Sequence, residues 1–390
     1  MPSRASSKMG MEEAEGDRKV EQVLCMNGGD GETSYSKNSN LQRNVMASVR
    51  HVVEESMTEV WKTFSSKGDL ISIADLGCAT GPNALFAMLE IVKIIGKFCE
   101  KTENHQKKPS IFALLNDLLS NDFNNIFRSL GNFYDALPRN RGFDQCFVAA
   151  VPGSFYGRLF PSKSLNFVHS SYSLMWLSQV PDGLVGENGE ALNKGNICIC
   201  EASSLAVRKA FGEQFKRDFN VFLKSRSEEV ILGGSMVLTF LGNVGRIAPF
   251  KVYEVIGQTL AQMANEGLVN KSKLDIFNLP LHTPSADQIS EVILDQNLFN
   301  LRKIEVIKTP WDAGMDEEEG IGEIKTRNAR GGEFVAKYLR AVVEPLLVAA
   351  EFGDRAVMDE LFGRAALKFG ELMGAGDCHY LSIVVWLTRV

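Results

Sequence analysis

Apolar positions along this chain change period in a repeating way. From about Leu41 to Phe64, Val45, Val49, Val52, Met57 and Val60 fall broadly on one side of a helix. Ile71–Ala74 is a short apolar run that stops at Asp75-Leu-Gly-Cys-Ala-Thr-Gly81, and Leu85, Met88, Leu89, Ile91 and Val92 then return to helical spacing. That is strand, glycine turn, helix, and the pattern recurs. Ile111–Leu115 ends at Asn116-Asp117 and is followed by a helical stretch, Phe123–Leu130; Cys146–Val151 ends at Pro152-Gly-Ser154; Leu165–Ser170 ends at Ser171-Tyr172. Asn196–Cys200 and Ser235–Leu241 read as further strands flanking a helix at Ala206–Ser225. Strands alternating with helices predict a parallel sheet covered on both faces.

Beyond Phe250 the pattern becomes helical, over Val252–Glu266, Ser285–Gln296, Gly332–Glu351 and Ala356–Leu372, with an acidic loop at Asp312–Gly322 expected to be mobile. Tyr380–Leu387 is β-branched and apolar, a strand able to rejoin the first sheet. The expected organisation is a disordered leader (1–19), an α/β domain (20–245), a mainly helical cap (246–376) and a returning strand (377–390).

Composition narrows the function. Forty-two Lys and Arg against forty-eight Asp and Glu leave a net charge of -6, with no basic stripe to mark a nucleic acid or anionic membrane partner. The seven cysteines (25, 78, 99, 146, 198, 200 and 378) are scattered, odd in number and without a CxxC pair, as in a reduced intracellular protein. The first nineteen residues lack the apolar core of a signal peptide and no stretch is apolar enough to span a bilayer, so a cytoplasmic location is expected.

In an open α/β sheet, ligands bind beyond the carboxyl ends of the strands. The polar clusters fall there: Asp75/Gly77/Gly81, Asn116-Asp117, Ser154-Phe155 and Ser171-Tyr172. Asp75-x-Gly77-x-x-x-Gly81 lacks the GxGxxG of pyrophosphate binders and the lysine of a P-loop, so an adenosyl ligand without phosphates suits it better. Asp75 can face a sulfonium or ammonium, and Asp117 can accept both hydroxyl protons of a ribose. Competing chemistry is thin. The five histidines show no metal-ligand spacing, Ser154 sits in no GxSxG elbow, and His169 reads as a satisfied core residue rather than a base.

Several motifs together resemble one known family: Met26-Asn-Gly-Gly-Asp-Gly-Glu-Thr-Ser-Tyr35, Asp75-Leu-Gly-Cys-Ala-Thr-Gly-Pro-Asn83, Leu115-Asn-Asp-Leu118, Asn121-Asp-Phe-Asn124, Pro152-Gly-Ser-Phe-Tyr-Gly-Arg-Leu-Phe-Pro161 and Ser170-Ser-Tyr-Ser-Leu-Met-Trp-Leu-Ser-Gln-Val-Pro181. They resemble the plant SABATH family of S-adenosylmethionine-dependent methyltransferases, which includes salicylate, benzoate, jasmonate and indole-acetate carboxyl methyltransferases and the caffeine-pathway N-methyltransferases. The resemblance runs from about Glu21 to Leu387. It implies a Rossmann-like class I methyltransferase sheet with a helical cap, and a homodimer.

It also implies roles for particular residues. The cofactor would be held by Tyr35, Ser39, Asp75, Cys78, Asn83, Asp117, Leu118, Ser154 and Phe155, with Phe155 near the adenine. The acceptor pocket would comprise Gln42, Tyr172, Met175, Trp176, Leu241, Val252, Tyr253, Leu339, Val342 and Tyr380. In it, the Trp176 indole N–H and the Gln42 amide would grip a carboxylate as the catalytic pair. A carboxylate is already ionised at neutral pH and needs no general base, so orientation and exclusion of water would supply the catalysis. Met175, where many relatives carry His, resembles the salicylate-type enzymes, while Asn188-Gly-Glu-Ala-Leu-Asn-Lys-Gly195 and Pro310-Trp-Asp-Ala-Gly314 resemble the caffeine branch. A structural Mg²⁺ would be held by Asn193, Asp275, the Phe277 carbonyl and Asn278. The leading expectation is a methyl ester of a salicylate- or benzoate-type acid; the alternatives are xanthine N-methylation or a jasmonate or indole-acetate ester.

Overall fold

The computed structural model describes residues 20–64, 69–101, 108–138, 142–243, 251–315, 324–376 and 378–390. The expected leader, residues 316–322 of the acidic loop, and the boundary at 245/246 lie outside them. Seven strands form one sheet: β1 (Leu70–Leu76), β2 (Ser110–Asp117), β3 (Cys146–Pro152), β4 (Leu165–Ser171), β5 (Val230–Leu241), β6 (Phe299–Pro310) and β7 (His379–Arg389). Their order is β3-β2-β1-β4-β5-β7-β6, with β1 to β5 parallel and β6 and β7 antiparallel. The order reverses between β1 and β4, the position where the carboxyl ends of parallel strands open a crevice.

Alternation along the strands builds two cores. Ile73, Phe167, Val237 and Val384 face α3 (Arg50–Phe64) and α4 (Pro82–Lys101). Their neighbours Ala74, Val168, Leu238 and Val385 face a larger cluster. That second cluster includes Phe211, Phe215, Phe219 and Phe222 of α7 (Leu205–Glu229), and residues of four later helices: α8 (Lys251–Asn265), α10 (Ala286–Gln296), α11 (Ile324–Ala349) and α12 (Arg355–Ala375). Shorter helices complete the chain: α1 (Val20–Val23), α2 (Asn40–Ser48), α5 (Phe123–Arg128), α6 (Leu130–Asp135) and α9 (Lys271–Ile276). No helix among the described residues is long and apolar enough to cross a membrane.

Three sequence readings change. The single helix expected from Leu41 to Phe64 is two, α2 and α3, broken at Val49. Asn196–Cys200 is not a strand; its Ile197, Cys198 and Ile199 are buried in irregular backbone within the cap-side cluster, so the apolar run reports burial and not pairing. The stretch from 246 to 376 is not helical throughout, because β6 lies within it. Carrying Arg302, Lys303, Glu305 and Lys308, β6 is a charged edge strand, bonded only to β7, and has no apolar run to announce it.

Candidate active site

Two glycines shape the turn after β1. Gly77 has φ +74°, and a Cβ there would stand 2.3 Å from Ser173 Oγ; Gly81 has φ +85°, and a Cβ would meet the Ser36 backbone at 2.8 Å. Only glycine tolerates both the angles and the approach. Ala79 lies between them at φ +54°, braced by Asn121 Nδ2 donating to its carbonyl (2.9 Å). Its N–H donates to Asp117 Oδ2 (2.7 Å), and the Leu118 N–H donates to Oδ1 (2.8 Å). Each carboxylate oxygen keeps further acceptor capacity. Burial pushes the Asp117 carboxyl up to about 6, against the pull of those two N–H groups.

Behind this turn Asp75 and His169 sit opposite one another on β1 and β4 and share a buried hydrogen bond, Nδ1 to Oδ1, of 2.7 Å. His169 is thus satisfied by a neighbour in the core. The following β4 turn carries Tyr172 at φ +54°, held by its N–H on the Thr239 carbonyl (2.8 Å) and by its hydroxyl on Ser382 Oγ (2.7 Å). Met175–Leu177 is fixed from the cap: the His282 N–H donates to the Met175 carbonyl (2.9 Å) and the Leu177 N–H to the Pro280 carbonyl (2.7 Å). Tyr156 OH donates to the Trp176 carbonyl (2.7 Å).

These elements surround a cavity of about 1080 Å³, a volume that includes the open solvent at its mouth. Its wall follows one edge of the sheet, from Asp117 on β2, past Gly77 after β1 and Ser171–Ser173 after β4, to Leu241 on β5 and Tyr380 on β7. Six of the seven tyrosines of the chain line it: 35, 156, 172, 253, 338 and 380. Among the described residues, no Lys, Arg or His does. Trp176 is 5% exposed and its indole N–H has no partner among the described residues; the Gln42 side chain has none either, and its carbonyl oxygen is sealed from solvent.

The expected site residues divide accordingly. Of the cofactor set, Tyr35, Asp117, Leu118, Ser154 and Phe155 line the cavity, whereas Ser39, Asp75, Cys78 and Asn83 stand behind its wall; Asn83 Nδ2 binds the Ser39 carbonyl at 2.8 Å and ties α4 to the N-terminal segment. Of the acceptor set, Gln42, Tyr172, Met175, Trp176, Leu241, Tyr253, Leu339, Val342 and Tyr380 line it, and Val252 is fully buried outside it. The sequence reading named Ser171 among the strand-end clusters but did not single out Ser173, Tyr156, Tyr338 or the segment Leu24–Met26, which also line the cavity. Tyr156 lay within a quoted motif; Tyr338 had no signal beyond its place one residue before Leu339.

Loop 153–160 is fastened from beneath by a buried ion pair. Arg226 Nη1 donates to the Phe155 carbonyl (2.9 Å) and Nη2 to the Gly157 carbonyl (2.7 Å), while Nε reaches Glu229 Oε2 (2.7 Å). Glu229 Oε1 accepts from the Leu159 and Phe160 N–H groups (2.6 and 3.0 Å).

The chain matches, over residues 21–390, the family described as SAM dependent carboxyl methyltransferase. It belongs to that family. A benzoic acid/salicylic acid carboxyl methyltransferase of Petunia hybrida is 38% identical over 377 residues, covering 95% of this chain and 99% of the relative. A jasmonate O-methyltransferase of Arabidopsis thaliana is 40% identical over 390 residues, covering 95% and 99%. A probable caffeine synthase of Coffea canephora is 38% identical over 378 residues, covering 95% and 98%. Among solved structures, a loganic acid methyltransferase with S-adenosylhomocysteine (SAH) is 32% identical, with a TM-score of 0.78, covering 93% of this chain and 98% of that one. The sheet is therefore that of a class I methyltransferase, and the enzyme uses S-adenosylmethionine (SAM).

The expected Mg²⁺ set does not fit a cation as it stands. Asn193 Nδ2 donates to Asn278 Oδ1 (2.7 Å) and to the Cys198 carbonyl (3.1 Å), and Asn193 Oδ1 accepts from Ser203 Oγ (3.0 Å). Both amide oxygens are engaged. The single carboxylate, Asp275, has the Lys194 ammonium 3.5 Å away. Mg²⁺ needs a near-octahedral set of oxygens; here Asn193 and Asn278 instead pin the 193–203 loop to the end of α9.

Proposed function

We propose that this enzyme transfers the methyl group of SAM to the carboxylate of a small aromatic acid, forming a methyl ester. The observation that carries this reading is a pair of groups on the cavity wall with no hydrogen-bond partner among the described residues, the Trp176 indole N–H and the Gln42 amide. A half-turn of the amide exchanges its oxygen and nitrogen, so Gln42 can present a donor. The two donors hold one carboxylate and aim one oxygen. Asp117, with Leu118, Ser154, Phe155 and Tyr35 around it, holds the adenosyl group, and bound SAM supplies an electrophilic methyl on a positively charged sulfur. With no cationic side chain in the wall among the described residues, that sulfur is also the counter-charge for the acid. Met175, buried at 5% exposure, gives the ring an apolar, adaptable neighbour.

Incubation with radiolabelled SAM and a panel of salicylate, benzoate, jasmonate, indole-acetate and xanthines tests this. Methyl esters of the aromatic acids are expected; transfer to a xanthine ring nitrogen would overturn the proposal. The xanthine reading has its own support in the caffeine synthase relative and in the tyrosine hydroxyls, which suit ring carbonyls. Trp176→Ala and Gln42→Ala should each lower kcat/KM for the acid by about 10- to 100-fold, the size of one lost hydrogen bond to a charged group, while leaving SAH affinity within about twofold. Equal loss of both would place the two residues at the cofactor.

A pH dependence follows from Asp117. Its raised pKa means that protonation begins near pH 6, removing the anionic acceptor that a ribose needs. For an acid whose folded pKa lies above its unfolded value, the unliganded fold loses stability as pH rises through about 4 to 6. Ribose hydroxyls favour the charged form. The kcat/KM for SAM should therefore fall below pH 6, and the fall should shift to lower pH in kcat at saturating SAM. Profiles that coincide would remove Asp117 from the cofactor site.

A further inference from the structure

The sheet separates the two ends of the cavity. From Asp117 on β2 to Tyr380 on β7 is four strand steps, about 19 Å at the usual spacing. The β7 end is walled by Leu241, Leu339 and Val342 and by four phenols, Tyr172, Tyr253, Tyr338 and Tyr380. Their hydrogen bonds do not balance. Tyr172 is paired with Ser382 (2.7 Å) and Tyr338 with Tyr380 (2.9 Å). Each pair consumes only one of its two O–H groups: Tyr172 can donate to Ser382, which does not line the cavity, whereas Tyr338 and Tyr380 both line it, so one of their protons remains to be donated there. Tyr253 is 4% exposed and its hydroxyl has no partner among the described residues, although the side chain lines the cavity. Burial raises the pKa of all four phenols, which keeps them as O–H donors.

This end thus presents two unmatched donors on an apolar background, with no acidic side chain among the described residues that line it to receive them. A plain hydrocarbon ring would displace any water there and leave both donors unpaired, which costs more than a missing bond in solvent. Resting on the function proposed above, we propose that the acceptor carries, besides its carboxylate, a second hydrogen-bond-accepting oxygen on the part of the molecule remote from it, received by Tyr253 and by the Tyr338–Tyr380 pair. The class is a ring-hydroxylated or otherwise oxygenated acid in preference to benzoate.

The test compares kcat/KM for 3- and 4-hydroxybenzoate with 3- and 4-methylbenzoate, which match them in shape. The better hydroxy acid should exceed its methyl counterpart by about 10-fold or more, and Tyr253→Phe and Tyr338→Phe should each narrow that ratio several-fold. A ratio cancels any loss of folded enzyme in the variants. A parent ratio within twofold overturns the inference. So does a ratio unmoved by both variants, the result if these tyrosines grip the carboxylate itself and weaken both acids alike. No transfer to any acid sinks this inference together with the proposed function; transfer without preference sinks this one alone.

Discussion

Arg226→Ala is expected to destabilise the enzyme by about 3–5 kcal/mol and to raise the KM for SAM. Arg226 and Glu229 are both fully buried, and between them they hold four backbone groups of loop 153–160, on which Ser154 and Phe155 line the cavity. Removing the guanidinium leaves the buried Glu229 carboxylate with only the half-exposed Arg158, 3.8 Å away, as counter-charge, and the Phe155 and Gly157 carbonyls without donors. Glu229→Gln should cost a similar amount, since it strands the guanidinium instead. The neighbouring Glu228 is a useful control. It pairs with Arg158 at 2.5 Å, but both side chains are more than 40% exposed, and Glu228→Gln should move stability by less than about 1 kcal/mol. Urea denaturation of the three variants separates these cases. An Arg226→Ala midpoint equal to that of Glu228→Gln would show that the loop holds itself. If the loop is what the pair supports, KM for SAM rises more than KM for the acid, because Phe155 is proposed to lie beside the adenosyl group.

That pair also shows where the sequence stops being informative. Arg226, Ser227, Glu228 and Glu229 close a long helix and read as a solvated face, yet α7 ends beneath the sheet, so two of its charges are sealed. Burial of a helix end depends on which distant segment packs over it, here the earlier loop 153–160, which no local pattern contains. β6 fails for the opposite reason, since an edge strand satisfies its outer face with water and needs no apolar run. By contrast β1, β2 and β4 were legible because both their faces are buried, which forces apolar runs ended by polar turns. Part of the cavity wall was legible with them: Asp117, Ser154 and Phe155, which line it, follow strands whose ends must converge once the order reverses beside β1. At the acceptor end, Tyr253 and Tyr338 sit on helices, and only the packed structure tells which helical face meets the sheet edge. Val252 and Tyr253 make the point: adjacent in sequence, one lies in the core and the other at the cavity.

Asp117→Asn should weaken SAM and SAH binding by about 100-fold or more. The carboxylate already accepts the Leu118 and Ala79 N–H groups, one on each oxygen. An amide has one oxygen, so its NH₂ must face one of those N–H donors, and that turn of backbone, with Ala79 at φ +54°, is pushed from its place. At the cavity the same change removes a charged acceptor from the ribose; a hydrogen bond to a charged group contributes about 1.5–3 kcal/mol, and the donor–donor contact adds to the loss. A total near 3 kcal/mol is about a hundredfold in Kd. Asp75→Asn provides the contrast. Asp75 lies behind the wall with one oxygen on His169, so its loss falls chiefly on stability and on the β1–β4 pairing that opens the crevice. Calorimetric titration with SAH, alongside urea denaturation, distinguishes the two. If Asp75→Asn loses SAH while Asp117→Asn keeps it, the ribose sits over β1, and the acceptor moves one strand closer to the tyrosines.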